Sequence, residues 1–145
     1  MIAKPQTGSL VVRFIAQRSA PFILLFALYV VAHGEDGPGG GFQAGVIFAA
    51  AIILYALLFG LDAAMGVIEP SVLRLLAAGG VLLYTSVGIV AMLLGGDFLD
   101  YDVLAHEPTE GQHLGIFFVE LGVGITVASV MLLLYFAFVG RASDE

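Results

Sequence analysis

One acidic side chain stands inside an apolar stretch of this chain. Glu120 is the only charged residue between Leu114 and Gly140. An ionised carboxylate in hydrocarbon is unfavourable unless it is paired, hydrated or protonated. No Lys or Arg lies in the uncharged stretches, so partners within the chain are limited to hydroxyls and amides, namely Gln43, Thr126, Thr85, Ser86 and Ser129. Two interpretations stay open: a neutral packing group, or a carboxylate that faces a hydrated cation path or a partner subunit. For the second, the candidate ion-path residues are Glu120, Gln43 and Thr126.

A run of glycines opens the longest uncharged stretch. Pro38, Gly39, Gly40, Gly41 and Phe42 follow one another in the sequence. Glycine tolerates backbone angles that other residues avoid, and it permits close approach by another backbone or an ion. We therefore predict that this segment is the tightly packed entrance of a buried apolar helix.

Two segments predicted to be loops are acidic and contain no Lys or Arg. Their seven acids are Glu35, Asp36, Asp97, Asp100, Asp102, Glu107 and Glu110. One interpretation is that these acids keep an outer surface soluble. The other is a vestibule that concentrates cations, because clustered carboxylates attract them. The candidates for such a vestibule are Glu35, Asp36, Asp97, Asp100 and Asp102.

The three histidines, His33, His106 and His113, lie in or beside the same loops. Their spacing differs from the compact patterns of zinc sites, and the chain has no cysteine. We predict neither a metal site nor a cofactor.

The composition is that of a membrane protein. Of the 145 residues, 60% are hydrophobic and 12% are charged, and the mean hydropathy is +1.04. A soluble body of this size cannot bury so much apolar surface, which excludes an independent soluble enzyme. The net charge of −7 argues against nucleic acid as a partner. We expect a single all-α membrane domain covering residues 1–145.

Apolar runs long enough to cross a bilayer predict four transmembrane helices. Their approximate bounds are 10–33, 41–61, 72–96 and 114–140. In the first, Arg13 and Arg18 are expected to extend toward the headgroups. Pro21 is expected early in this helix, where its missing N–H does least harm.

Helix packing and orientation follow from two further patterns. Small residues recur on single helix faces and predict close helix contacts; they are Gly41, Gly45 and Ala49, then Gly80, Gly88 and Gly96, then Gly124 and Ala128. The basic residues all fall on one side of the four-helix plan; they are Lys4, Arg13, Arg18, Arg74 and Arg141. The positive-inside rule places that side, and both termini, in the cytoplasm.

These residues also carry a family resemblance. The stretch His33 to Gly60, HGEDGPGGGFQAGVIFAAAIILYALLFG, resembles the hallmark segment of the B-type subunit of the Mrp (Mnh) multisubunit sodium/proton antiporter. Two shorter segments support it: Gly95 to Leu99, and Phe118 to Val123 with Thr126 and Val127. The similarity extends to length and to the four-helix plan.

The resemblance implies a small subunit of a plasma-membrane complex that exchanges Na⁺ for H⁺. It implies the other subunits of that complex and membrane lipid as partners. A subunit that helps to shape an ion path is the preferred interpretation. The alternatives are a purely structural assembly subunit and a membrane-arm subunit of a related energy-converting hydrogenase. With one intramembrane acid and no intramembrane base, this chain is not expected to transport ions alone.

Overall fold

The computed structural model describes residues 10–34 and 39–144, and this part of the chain is helical with no strand. The elements are α1 (Leu10–Ala32), α2 (Gly41–Phe59), α3 (Leu61–Val67), α4 (Pro70–Leu93), a 3₁₀ turn (Tyr101–Leu104) and α5 (Pro108–Asp144). Four of them, α1, α2, α4 and α5, are long and apolar enough to cross a membrane. The predicted all-helical fold with four spans is confirmed.

The structure adds one short helix and lengthens another. α3 lies in the predicted second connection, and it is separated from α2 by Gly60, whose φ of 96° interrupts the helix. α5 begins at Pro108 rather than near Leu114. Proline suits the first helical position because its fixed φ is helical and no N–H is required there.

Pro21 does not lie where the sequence predicted. It is inside α1, with helix on both sides, because α1 begins at Leu10. The residue lacks an N–H, so the carbonyl of Gln17 one turn earlier loses its usual helical donor. Pro21 is exposed on the surface of α1, and the helix continues on both sides of it.

α5 is the central element. It contacts α1, α2, α3, α4 and the 3₁₀ turn, and α1 also packs along α2. Successive long helices alternate in direction, so α2 runs parallel to α5 and α4 runs antiparallel to it. The last residues of α1 and α4 and the first residues of α2 and α5 therefore share one end of the bundle, which we call the acidic end. The opposite end, which we call the basic end, carries Arg13, Arg18, Arg74 and Arg141.

The core lies toward the basic end, where α2, α3, α4 and α5 meet. Its fully buried large side chains are Leu73 and Leu132, and Phe136 packs with them. The other members are Ala49, Ile52, Ala56 and Ala64. At the same end, the Arg13 guanidinium lies 4.9 Å from the centre of the Phe59 ring and fastens α1 to the last turn of α2.

Some of the predicted small residues form helix contacts, whereas Gly88 and Gly96 lie against Phe98 and Val103 of the α4–α5 connection. A β-carbon on Gly45 would lie 2.7 Å from the carbonyl oxygen of Gly124, so α2 and α5 approach backbone to backbone. A β-carbon on Gly80 would lie 2.6 Å from the carbonyl oxygen of Gly122, so α4 and α5 do the same. Such close packing stabilises helix association where no water is displaced.

Candidate functional site

The Glu120 carboxylate lies at the entrance of α2. A β-carbon built on Gly40 would lie 3.1 Å from Glu120 Oε1, and one built on Gly34 would overlap Oε2. Gly34 follows the end of α1, and Gly40 immediately precedes α2. This carboxylate of α5 thus meets the two segments where α1 ends and α2 begins.

Two glycines of the entrance are required by its geometry. Gly40 has a φ of 121°, a value that side-chain-bearing residues rarely adopt. Gly41 is buried, and a β-carbon there would overlap the carbonyl oxygen of Glu120. The predicted unusual backbone angle and close packing of this run are therefore present at Gly40 and Gly41. Pro38 lies outside the described residues.

Gln43 is the polar side chain of α2 nearest to this point. Its Oε1 would lie 3.3 Å from a β-carbon on Gly40, and Glu120 Oε1 would lie 3.1 Å from that same β-carbon. Gln43 is exposed, and Glu120 is half-buried. The side-chain oxygens of Gln43 and Glu120 therefore flank one small space above the first turn of α2.

The start of α2 also supplies a favourable electrostatic environment. The first N–H groups of a helix lack carbonyl partners within the helix, and the helix dipole places partial positive charge there. A carboxylate beside such a terminus is stabilised in its ionised form. The Glu120 carboxylate beside Gly40 therefore lies close to the partial positive charge at the start of α2.

Thr126, the third candidate for an ion path, lies elsewhere. Its hydroxyl donates to the carbonyl of Gly122 at 2.9 Å and lies 3.5 Å from the carbonyl oxygen of Ala77 on α4. It therefore faces α4, and the structure does not bring it to the carboxylate. The other hydroxyls considered, those of Thr85, Ser86 and Ser129, donate to carbonyls of their own helices.

The described acids of the α4–α5 connection shape that connection. Asp100 caps the 3₁₀ turn by accepting a hydrogen bond from the Asp102 N–H at 3.3 Å. Asp102 accepts a hydrogen bond from Gln112 Nε2 at 2.7 Å, which ties the turn to the start of α5. Asp97 is exposed. Glu35 and Asp36, the other vestibule candidates, lie outside the described residues.

Other side chains near the acidic end make local contacts. His33 lies with its ring centre 4.0 Å from that of Tyr29, and its Nδ1 is 3.2 Å from the Tyr29 carbonyl oxygen. Phe42 is 60% exposed. In residues 10–34 and 39–144 no three His, Asp or Glu side chains group as metal ligands would.

Tyr101 closes the space between the 3₁₀ turn and α5. Its ring covers Gly115, where a β-carbon would overlap it, and its carbonyl oxygen lies against Gly111. Burial raises the pKa of the Tyr101 phenol, and the nearby Tyr84 phenol raises it further. The glycines at the start of α5 thus allow this connection to fold back against the helix.

Sequence reasoning missed the part played by Gly34. Gly34 follows α1 and Glu120 is in α5, so no spacing along the sequence indicates that the two residues meet. The available signal was its position at the start of the glycine-containing stretch from His33 to Gly60. The structure adds Gly34 to the site as the residue that leaves room for the carboxylate.

Comparison with known proteins bears directly on these residues. Residues 11–133 match the family model described as a domain related to the MnhB subunit of Na⁺/H⁺ antiporter. Three proteins named "Putative antiporter subunit mnhB2", from Staphylococcus aureus strains Newman, JH1 and Mu3, are each 32% identical over 130 residues. Each match covers 83% of this chain and 92% of the relative.

The matched region contains all the site residues described above, from Gly34 to Glu120 and Thr126, and it extends through most of the four-helix bundle. The resemblance inferred from the glycine-rich stretch is confirmed over nearly the whole chain. On this match and on the relatives' similarity, the protein belongs to the MnhB family of Mrp/Mnh antiporter subunits.

Proposed function

We propose that this protein is a multi-pass cell-membrane subunit of a multisubunit Na⁺/H⁺ antiporter in which the Glu120 carboxylate forms part of an ion path. Family membership supports the antiporter subunit, and the four apolar helices support the membrane location. The relatives carry antiporter names, which favours this assignment over a hydrogenase membrane arm. The chain is accordingly a transporter component, with the other subunits of the complex as its partners.

The observation that carries the ion-path role is the convergence of Glu120 with the glycine entrance. Side-chain oxygens of Glu120 and Gln43 flank one space beside Gly40. Transporters bind their coupling ions with carboxylate and carbonyl oxygens where a helix is interrupted. Here the end of α1 and the start of α2, rather than one interrupted helix, place non-helical backbone at Gly34 and Gly40 next to an acid.

One carboxylate suffices for a simple competition between the two ions. A carboxylate that holds Na⁺ must be ionised, and a carboxylate that holds a proton has lost the charge that attracts Na⁺. Successive occupation of Glu120 by Na⁺ and by H⁺ would couple the two ions locally. Long-range proton movement then falls to the partner subunits, because Glu120 is the only charged side chain in the stretches Leu75 to Gly96 and Leu114 to Gly140.

A purely structural role has one specific observation in its favour. The backbone of Glu120 lies against Gly41, and its carboxylate is beside the start of α2. A carboxylate there stabilises the helix terminus electrostatically. In that case a neutral amide of the same shape would retain the packing, weaken the helix terminus slightly and leave exchange per assembled complex at the wild-type level.

The two roles are separated by replacing Glu120 with Gln. If the charge serves an ion path, Glu120→Gln assembles normally and its Na⁺/H⁺ exchange in membrane vesicles falls by about tenfold or more. Glu69→Gln is the matched control, because Glu69 is an exposed acid at the basic end and undergoes the same chemical change. Its exchange should equal that of the wild type.

The orientation proposal places the basic end in the cytoplasm, because Arg13, Arg18, Arg74 and Arg141 all lie there. The chain has no cysteine of its own, so single introduced cysteines report cleanly. Cysteine at Ser71 should react with an impermeant reagent only from the cytoplasmic face, and cysteine at Asp100 only from the outer face. Reaction of both from one face would contradict the four-span plan.

A further inference from the structure

An apolar groove runs between α1 and α4, and we call it the α1–α4 groove. α1 packs mainly along α2, and α4 packs mainly along α5, which leaves the space between α1 and α4 unfilled. The floor of the groove is α5, from Leu121 to Leu132, and its volume is about 190 Å³. Leu28 on one wall and Leu76 on the other are 58% and 38% exposed. The groove therefore opens sideways, toward the bilayer that surrounds the four spans.

The lining of the groove is suited to hydrocarbon alone. Ser129 is the one polar side chain among the described lining residues. It is 2% exposed, and its hydroxyl donates to the carbonyl of Ile125 at 2.7 Å. Among these residues no side chain remains to bind water or an ion. An empty groove would also forfeit the dispersion contacts of its lining atoms, so an apolar occupant is favoured.

The dimensions of the groove match one acyl chain. From Leu121 to Leu132 is about 16 Å along α5, which is half of the roughly 30 Å hydrocarbon layer. A volume of about 190 Å³ over this length admits an extended chain. A helix does not fit, because its diameter with side chains is about 10 Å or more. The groove ends at Leu73, directly before Arg74, so its length corresponds to the leaflet at the basic end.

Both walls of the groove carry arginine toward the basic end. Arg13 and Arg18 lie on α1, and Arg74 lies in the first turns of α4. Glu69, one residue before α4, is the acid on the same wall, so the two walls together keep an excess of positive charge. Basic residues between transmembrane helices at a membrane surface favour anionic lipid headgroups. The charge at this end of the groove complements a phosphate.

We propose that the α1–α4 groove binds an anionic phospholipid of the leaflet at the basic end. One acyl chain lies along α5 between Leu121 and Leu132, and the headgroup lies at the level of the arginines. The lipid completes the packing between α1 and α4 that the protein leaves open. This binding site does not depend on an ion path at Glu120, because none of its groups takes part in exchange.

The experiment identifies the molecules that contact the groove in the intact complex. A photoactivatable benzophenone amino acid replaces Leu28 at the rim. The purified complex is placed in phosphatidylcholine vesicles with about 10% phosphatidylglycerol as the anionic probe. After illumination, the adducts on this subunit are identified by mass spectrometry. Leu82, which is 69% exposed on α4 and does not line the groove, is the control position for surface lipid.

A bound anionic lipid predicts enrichment of phosphatidylglycerol at position 28. Its share of the adducts should exceed its share of the vesicle lipid by about fivefold or more, because each arginine near the headgroup favours it by about that factor. At position 82 the adducts should follow the vesicle composition. Equal composition at both positions would overturn the proposal, since position 28 would then meet bulk lipid alone. Adducts of position 28 with another subunit alone would also overturn it, because protein would then fill the groove.

Two matched pairs of variants test the acyl chain and the headgroup separately. Ile125→Phe enlarges a lining side chain and should lower the total lipid adducts at position 28. Ile89→Phe makes the same change at a residue of α4 that is 45% exposed and outside the groove, and it should not. Arg74→Gln should lower the phosphatidylglycerol enrichment, whereas Arg141→Gln, beyond the groove on α5, should leave it unchanged. The arginine pair keeps the test decisive if Ile125→Phe fails to assemble, and full enrichment in Arg74→Gln would contradict the headgroup site.

Discussion

The two ends of the bundle are held together in different ways. At the basic end, large side chains such as Leu73, Leu132 and Phe136 fill the space between four helices. At the acidic end, α2 meets α5 through Gly41 and the backbone of Glu120, with a carboxylate beside the contact. Large apolar side chains can be trimmed at a graded loss of stability, whereas a backbone contact leaves no room for any added atom. Substitutions should therefore cause a graded loss of stability at the basic end and an abrupt loss of helix packing at the acidic end.

The largest effect is expected at Gly41. Gly41→Ala places a β-carbon on the carbonyl oxygen of Glu120, and backbone cannot move aside as a flexible side chain can. We expect most of the assembled complex to be lost, as measured by co-purification of the other subunits from membranes. Gly66→Ala is the control, since Gly66 is also helical and a β-carbon there meets nothing within 4 Å. Normal assembly of Gly41→Ala would contradict the tight entrance.

A smaller effect is expected at Leu132, which is 1% exposed in the core of the basic end. Leu132→Ala removes packing contacts and should lower stability by about 2 kcal/mol or more. The measurement is the midpoint of unfolding of the purified subunit in denaturing detergent. Leu134→Ala removes the same atoms from a side chain that is 49% exposed. Equal midpoints for the two variants would show that burying Leu132 in the basic-end core adds no more stability than an exposed leucine does.

The smallest effect is expected at Tyr101 and only in alkali. Its pKa is raised in the folded protein, so between its ordinary value of 10.0 and the raised value the unfolded chain loses a proton that the folded chain keeps. The unfolded state then binds fewer protons, and stability falls as pH rises through this range. Tyr101→Phe should show a shallower alkaline loss of stability in the same unfolding assay. An unchanged slope would argue against the closed packing of Tyr101 on α5.

Sequence patterns were sufficient for the bundle but not for its register. The bilayer thickness requires apolar runs of about 20 residues, so α2, α4 and α5 could be predicted from such runs. The bounds of α1 and α5 depend on other features: Pro21 is tolerated inside one, and Pro108 starts the other early. α3 was missed because seven residues give too short a pattern to identify a helix.

The candidate site was predicted in its parts. Glu120 and the glycine run were each recognised from residue type, because an acid in an apolar helix and three successive glycines both require explanation. Their contact could not be predicted, since it depends on the position of α2 along the axis of α5. The same register places Gln43 and the Glu120 carboxylate beside Gly40 and leaves Thr126 facing α4.

The central claim is that the charge of Glu120, rather than its shape, serves the antiporter. The most direct test is Na⁺/H⁺ exchange per assembled complex in membrane vesicles, compared for Glu120→Asp and Glu120→Gln. Asp keeps the charge on a shorter side chain, and Gln keeps the shape without the charge. The ion-path account predicts that Glu120→Asp retains clearly more exchange than Glu120→Gln. Wild-type exchange in Glu120→Gln would contradict it and leave a structural role for this side chain.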